Sequence, residues 1–172
     1  MLTQNFIDKT TLEPFDCLFF ISGVFLFFHE GHRGFIREAE KVVKTIQEPT
    51  AFIILINSED YVFKKHSGRL PKDFRSEALF ATRFRAVAAE LSFENLFILK
   101  EDDIFNNHSF FSEEDMRNKT KIWMTSVEYF KHSHKEKKFV DFNIYYRSTK
   151  DSSTKILEEK RIPLKTNGTN FS

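Results

Sequence analysis

The 172 residues contain a single cysteine, Cys17. That excludes an intramolecular disulfide and any cysteine-built metal cluster, and the simplest compartment is a reducing one, the cytoplasm. Glycine and proline are sparse, at five and four residues, and neither an internal repeat nor a low-complexity tract is found. Charge of one sign is also missing. Lysine and arginine total 26 against 25 acidic residues, for a formal net charge of +1. A large non-specific nucleic-acid surface needs a concentrated basic field, so nucleic acid is not an expected partner. The apolar run from Leu18 to Phe28 is too short to span a bilayer, which takes about 20 residues. It follows Asp8, Glu13 and Asp16 rather than a basic region, so neither a secretory signal nor a membrane span is expected.

Phenylalanine, by contrast, is abundant, at 22 residues. It is expected to fill core positions that other proteins give to leucine. The length favours one domain, large enough to bury about two-thirds of its unfolded surface. The expected division is a tail over 1–14, a domain over 15–162 and a second tail over 163–172.

The hydrophobic pattern outlines the elements. "CLFFISGVF", from Cys17, is a continuous apolar run bounded by turn signals, as in a strand buried on both faces of a parallel sheet. From about Glu30, the residues Phe35, Ile36, Ala39, Val42, Val43 and Ile46 recur at helical spacing until Pro49 ends the helix. "AFIILIN", 51–57, is a second buried strand. A polar segment with Gly68 and Pro71 reads as a loop. A helix follows over about Arg75 to Leu91, with Phe80, Phe84, Val87 and Leu91 as its stripe, and "NLFIL", 95–99, is a third strand. "SEEDMRNK", from Ser112, looks like a capped helix start. "KIWM" suggests a fourth strand and "FVDFNIYYR", 139–147, a fifth. "SSTKILEEKR" reads as a closing helix capped by Ser152 or Ser153. Alternating strands and helices predict an α/β fold: a Rossmann-like open parallel sheet of about five strands with helices on both faces.

His29 and His32 fall between the first strand and the first helix. In such sheets, ligands bind at the carboxyl ends of strands, and a helix N-terminus offers free N–H groups and a positive dipole end to phosphate. Gly31 permits close backbone approach. Two imidazoles there could donate to phosphoryl oxygens and stabilise a developing charge. The plain alternative is that both histidines cap and pack. A metal protein using His29, His32, His132 and His134 is a third option, although no cysteine or well-spaced carboxylate completes a ligand set.

The stretch Gly23-Val24-Phe25-Leu26-Phe27-Phe28-His29-Glu30-Gly31-His32 resembles the G-x-F-D-x-x-H-x-G-H signature of the cytidylyltransferase-like nucleotidyltransferases, among them the glycerol-3-phosphate cytidylyltransferases. Leu26 stands at the family's aspartate. Near the C-terminus, Arg147-Ser148-Thr149-Lys150-Asp151-Ser152-Ser153-Thr154-Lys155-Ile156 is similar to the family's R-x-x-x-x-S-[ST]-[ST]-K-I. Between them, "INSEDYVFKKHSGRLP" resembles the second strand and its lysine-bearing loop, and Arg83 falls where the family carries a helix arginine. The family's later glycine-aspartate segment has no counterpart; "WMTSVEYF", 123–130, stands there.

The resemblance implies a transferase that joins a nucleoside monophosphate, CMP first, to a phosphorylated small-molecule acceptor and releases pyrophosphate. It implies His29, His32, Lys65 and Arg147 as catalytic residues. It implies Gly23, Phe25, Gly31, Lys64, Arg83, Ser152, Ser153 and Thr154 as nucleotide-binding residues. Mg²⁺ would be carried by the triphosphate, and the implied partners are CTP or another nucleoside triphosphate, the acceptor, and a second copy in a homodimer. The alternative is an inactive nucleotide-binding or regulatory module of the same fold.

Overall fold

The computed structural model describes residues 9–66, 70, 75–101, 114–126 and 140–147. Two apolar runs form the centre of the sheet, β1 (Cys17–Gly23) and β2 (Thr50–Ile56), paired in parallel with Cys17 beside Thr50 and Gly23 beside Ile56. β3 (Leu96–Lys100) pairs with β2 on one side, while β4 (Thr120–Ser126) pairs with β1 on the other and β5 (Phe142–Tyr146) extends the sheet from β4. Every pairing is parallel and the order is β3-β2-β1-β4-β5. The protein is thus an α/β Rossmann-like open sheet. Its strand order reverses between β1 and β4, and in open α/β sheets ligands bind at the carboxyl ends of the strands at such a switch point.

Burial on both faces explains why β1 and β2 lack alternation. On one face Phe19, Ile21, Phe52, Ile54, Ile56 and Met124 pack under two helices, α2 (Glu30–Lys44) and α5 (Phe80–Ala89), through Ile36, Ala39, Val43 and Val87. On the other face Leu18, Phe20, Ile53, Leu55, Leu99 and Trp123 meet Leu12 and Met116, from the short helices α1 (Lys9–Leu12) and α6 (Glu114–Arg117). Leu12 is fully buried although it lies in the stretch read as a tail. Phe19, Phe20 and Phe52 are fully buried too, so phenylalanine does serve as core filler here. Trp123 stacks on Phe20 with centroids 5.2 Å apart and planes 16° from parallel. Each such side chain contributes roughly 1.5–3 kcal/mol by leaving water.

Two expected elements differ. The polar segment after β2 is not all loop, because Glu59–Lys65 forms helix α3. Ser58 caps it by accepting the Tyr61 N–H at 3.2 Å, but only Val62 is buried, so no stripe announces it. The helix expected over 75–91 is broken into α4 (Arg75–Ala78) and α5, with Leu79 extended at ψ 140°. A Glu59 carboxylate oxygen accepts the Phe80 N–H at 2.8 Å, supplying from α3 the cap that α5 lacks at its own N-cap residue, Leu79. β1 also stops at Gly23, before the expected Phe25. The closing helix, Ser112 and the 132–138 loop lie outside the described residues. No helix among the described residues is long and apolar enough to cross a membrane.

Candidate functional site

The chain leaves β1 through Val24–Phe28 and enters α2 at the switch point. Phe25 and Phe27 both adopt left-handed backbone, at φ 54° and 52°. For bulky residues this costs about 1–3 kcal/mol each and persists only where the surroundings impose it. One cause is visible. The Phe25 ring folds back onto Gly23, where an added Cβ would come within 2.9 Å of Phe25 Cζ. Gly23 therefore makes room for a phenyl ring, and Phe25, 1% exposed, is packed into the core rather than presented to a ligand. Leu26 is fully buried in a satellite cluster with Val62, Leu70 and Ala78. An aspartate there would be a carboxylate surrounded by hydrocarbon.

His29 is the N-cap of α2, and its Nδ1 accepts the Gly31 N–H at 3.1 Å. His32 replies as the third residue of the helix, its Nδ1 accepting the His29 N–H at 3.4 Å. The two rings stack with centroids 3.7 Å apart, and Phe25 meets His32 edge-on at 5.3 Å. The histidines do cap and pack, then, but the caps have a chemical consequence. An imidazole that accepts at Nδ1 carries its proton at Nε2. Both rings thereby carry Nε2–H groups at the positive end of a helix, that of His29 being buried. Burial, followed by the neighbouring His29, Lys65 and Arg33, lowers the pKa of His32 to about 3, so it stays neutral at physiological pH.

Lys65 belongs to this group, since its charge is felt at His32. It sits half-buried in the last turn of α3, while Lys64 beside it is exposed. Gly31 is buried in the first turn of α2, at the histidines. Arg147 follows β5 directly and is exposed on the same carboxyl-end edge, two strands from β1, a separation of about 10 Å. Ser152, Ser153 and Thr154 lie outside the described residues, as do His132 and His134.

Arg83 is placed differently from a surface helix arginine. It is 1% exposed, and Nη1 donates to two main-chain carbonyls, Val24 at 2.9 Å and Asn57 at 2.7 Å. Nε and Nη2 have no hydrogen-bond partner among the described residues. Burial pushes its pKa down to about 10 while Glu59 pulls the other way, so the cation persists at neutral pH. Burying it with donors left over costs on the order of a few kcal/mol. Burial also works against ionisation of Glu59, but the Phe80 N–H and the charges of Lys100 and Arg83 outweigh it and lower its pKa.

Two residues of this rim were not singled out in the sequence. Asn57 follows β2, its N–H donating to the Gly23 carbonyl at 3.0 Å and its side-chain amide to Glu101. A polar residue just after an apolar strand was a readable signal for it. Nothing local marks Glu59 as the cap of α5. On the helix face, Glu90 joins Arg33 at 3.1 Å and Arg37 at 3.0 Å, tying α2 to the end of α5. No protein-family model matches the chain, and no curated protein matches it.

Proposed function

We propose that the protein is a nucleotidyltransferase of the cytidylyltransferase type. A phosphate oxygen of a phosphorylated small-molecule acceptor forms a bond to the α-phosphorus of a nucleoside triphosphate, CTP first. The bond from that phosphorus to the bridging oxygen breaks in line, and pyrophosphate leaves. The chemistry asks for positioning and charge stabilisation rather than a covalent intermediate. The observation that carries the reading is the pair of imidazoles whose Nδ1 atoms both accept main-chain N–H groups at the start of α2. The His32 Nε2–H would donate to the phosphoryl oxygens as charge develops, with His29, whose Nε2 is buried, stacked on its ring. Lys65 would neutralise the α-phosphate side, Arg147 would clamp the triphosphate, and Ser152, Ser153 and Thr154 would hold its β- and γ-phosphates.

Among the described residues no three of His, Cys, Asp and Glu come together to hold a metal ion. A divalent cation would be carried by the triphosphate's own oxygens, where it offsets their charge. The acceptor class includes glycerol phosphate, sugar phosphates and aminoalcohol phosphates.

Pyrophosphate release from CTP and Mg²⁺ over a panel of these acceptors tests the reading. Wild type is expected to turn over at least one, and His32→Ala to be slower by on the order of 100-fold or more. Near-normal release by the variant would sink the role given to His32. Leu26, buried in the satellite cluster at the position of the family's aspartate, favours a second reading, a nucleotide-binding module without activity. Calorimetric binding of CTP with no turnover on any acceptor would select it.

A further inference from the structure

We infer that Arg83 is a positioning residue for the His29–His32 pair: it fastens the carboxyl end of β1 to that of β2 and so fixes the loop that carries the imidazoles. This differs from a direct contact to nucleotide. Its catalytic meaning rests on the transferase reading above, whereas the geometry and the test below do not.

The connection is short. Arg83 Nη1 holds the Val24 carbonyl at 2.9 Å and the Asn57 carbonyl at 2.7 Å. Val24 is the first residue beyond β1, and the next residue, Phe25, lays its ring on Gly23 and against His32 at 5.3 Å. One carbonyl and one ring thus separate the guanidinium from the imidazole. On the β2 side, the Asn57 N–H donates to the Gly23 carbonyl at 3.0 Å, so main-chain pairing with the last residue of β1 continues one residue past β2, beside the guanidinium.

The side chain also suits the task. A planar, permanently charged group can serve two carbonyls from one nitrogen. Its base is firm, because α5 starts under the Glu59 cap at Phe80. A methionine would fill much of the same space without leaving Nε and Nη2 unpartnered among the described residues. What the guanidinium adds is the tie between the two strand ends.

Nitrogen-15 NMR of the 172-residue chain reads the consequence without any substrate. The groups acting on His32 are His29, Lys65 and Arg33, and none of them is altered in the variants. In Arg83→Gln the loop is expected to relax and admit water, and the His32 titration midpoint to rise by about one pH unit or more toward its ordinary 6.5. Arg83→Lys, which keeps the cation but not the fork, is expected to move it less and in the same direction. A folded Arg83→Gln with the wild-type imidazole shifts and midpoint would overturn the inference, whatever its melting temperature, because support of the core alone would leave His32 unmoved. If Arg83→Gln does not fold, Arg83→Lys decides by the same criterion: a raised midpoint supports the tie and a wild-type midpoint overturns it. Failure of wild type to release pyrophosphate would remove the transferase reading and leave this titration interpretable.

Discussion

The two ends of the sheet both bury polar side chains, and they do so in opposite ways. At the amino end, Lys121 is 6% exposed, yet its ammonium donates to the carbonyls of Met116 and Lys119, each at 2.9 Å, with Asp141 3.9 Å away. Lys119 reaches the carbonyls of Glu13 and Phe15. The main chain is stitched as well, from Thr120 N–H to the Asp16 carbonyl and from Asp141 N–H to the Lys121 carbonyl. At the carboxyl end, Arg83 keeps two buried donors without partners among the described residues, two phenylalanines take left-handed backbone, and two imidazoles stack at a helix start. Satisfied polar groups anchor a fold. Local conflicts that the surroundings hold in place mark where a chain gives up stability for something else. The difference supports, independently of any motif, placing the proposed site at the carboxyl end.

Substitutions at each end can break that contrast. The largest effect on stability is expected from Lys121→Met, which removes two charge-assisted bonds and leaves their carbonyls buried, at about 3 kcal/mol in a denaturant titration. The imidazole signals of His29 and His32 should not move, and movement would mean that the two ends are not separable. Acid acts on the other end. The folded-state pKa of His32 is about 3, below the ordinary 6.5, so the unfolded chain binds more protons between these values. Unfolding free energy is therefore expected to fall as pH drops from about 6.5 toward about 3, and His32→Ala to lose part of that dependence. A variant with the wild-type pH profile would exclude a buried neutral His32.

Gly23→Ala is the next smaller change. Its Cβ meets the Phe25 ring at 2.9 Å, so a loss of about 1–2 kcal/mol is expected together with displaced His32 resonances. The same loss with unmoved resonances would separate Phe25 from the site. The smallest effect is expected at Gly34 in α2, where an added Cβ would lie 2.9 Å from the Tyr146 hydroxyl. Gly34→Ala alone should be close to neutral, as helix propensity offsets the contact. In a Tyr146→Phe background it should stabilise by up to about 1 kcal/mol.

Much of this is legible in the chain itself. β1 and β2 are continuous apolar runs because both faces are covered, and α2 carries its stripe because one side alone is buried. His29, Gly31 and His32 follow the first strand and open the first helix, so their place at the carboxyl end of β1 follows from element order, whereas the strand order that makes this a switch point comes from the fold. The break at Leu79 was not legible, because the group that caps α5 is Glu59, 21 residues away. Nor was α3, whose single buried residue makes no periodic signal.

By itself, then, the sequence determined the α/β class, the parallel sheet and the place of the histidines, since period and order depend on neighbours along the chain. Only the tertiary structure decided which imidazole nitrogen accepts, that Gly23 receives a phenyl ring, and that Arg83 turns inward to carbonyls 59 and 26 residues away. Those features depend on atoms brought within about 3 Å by the packing of separate elements, and no local pattern encodes that distance.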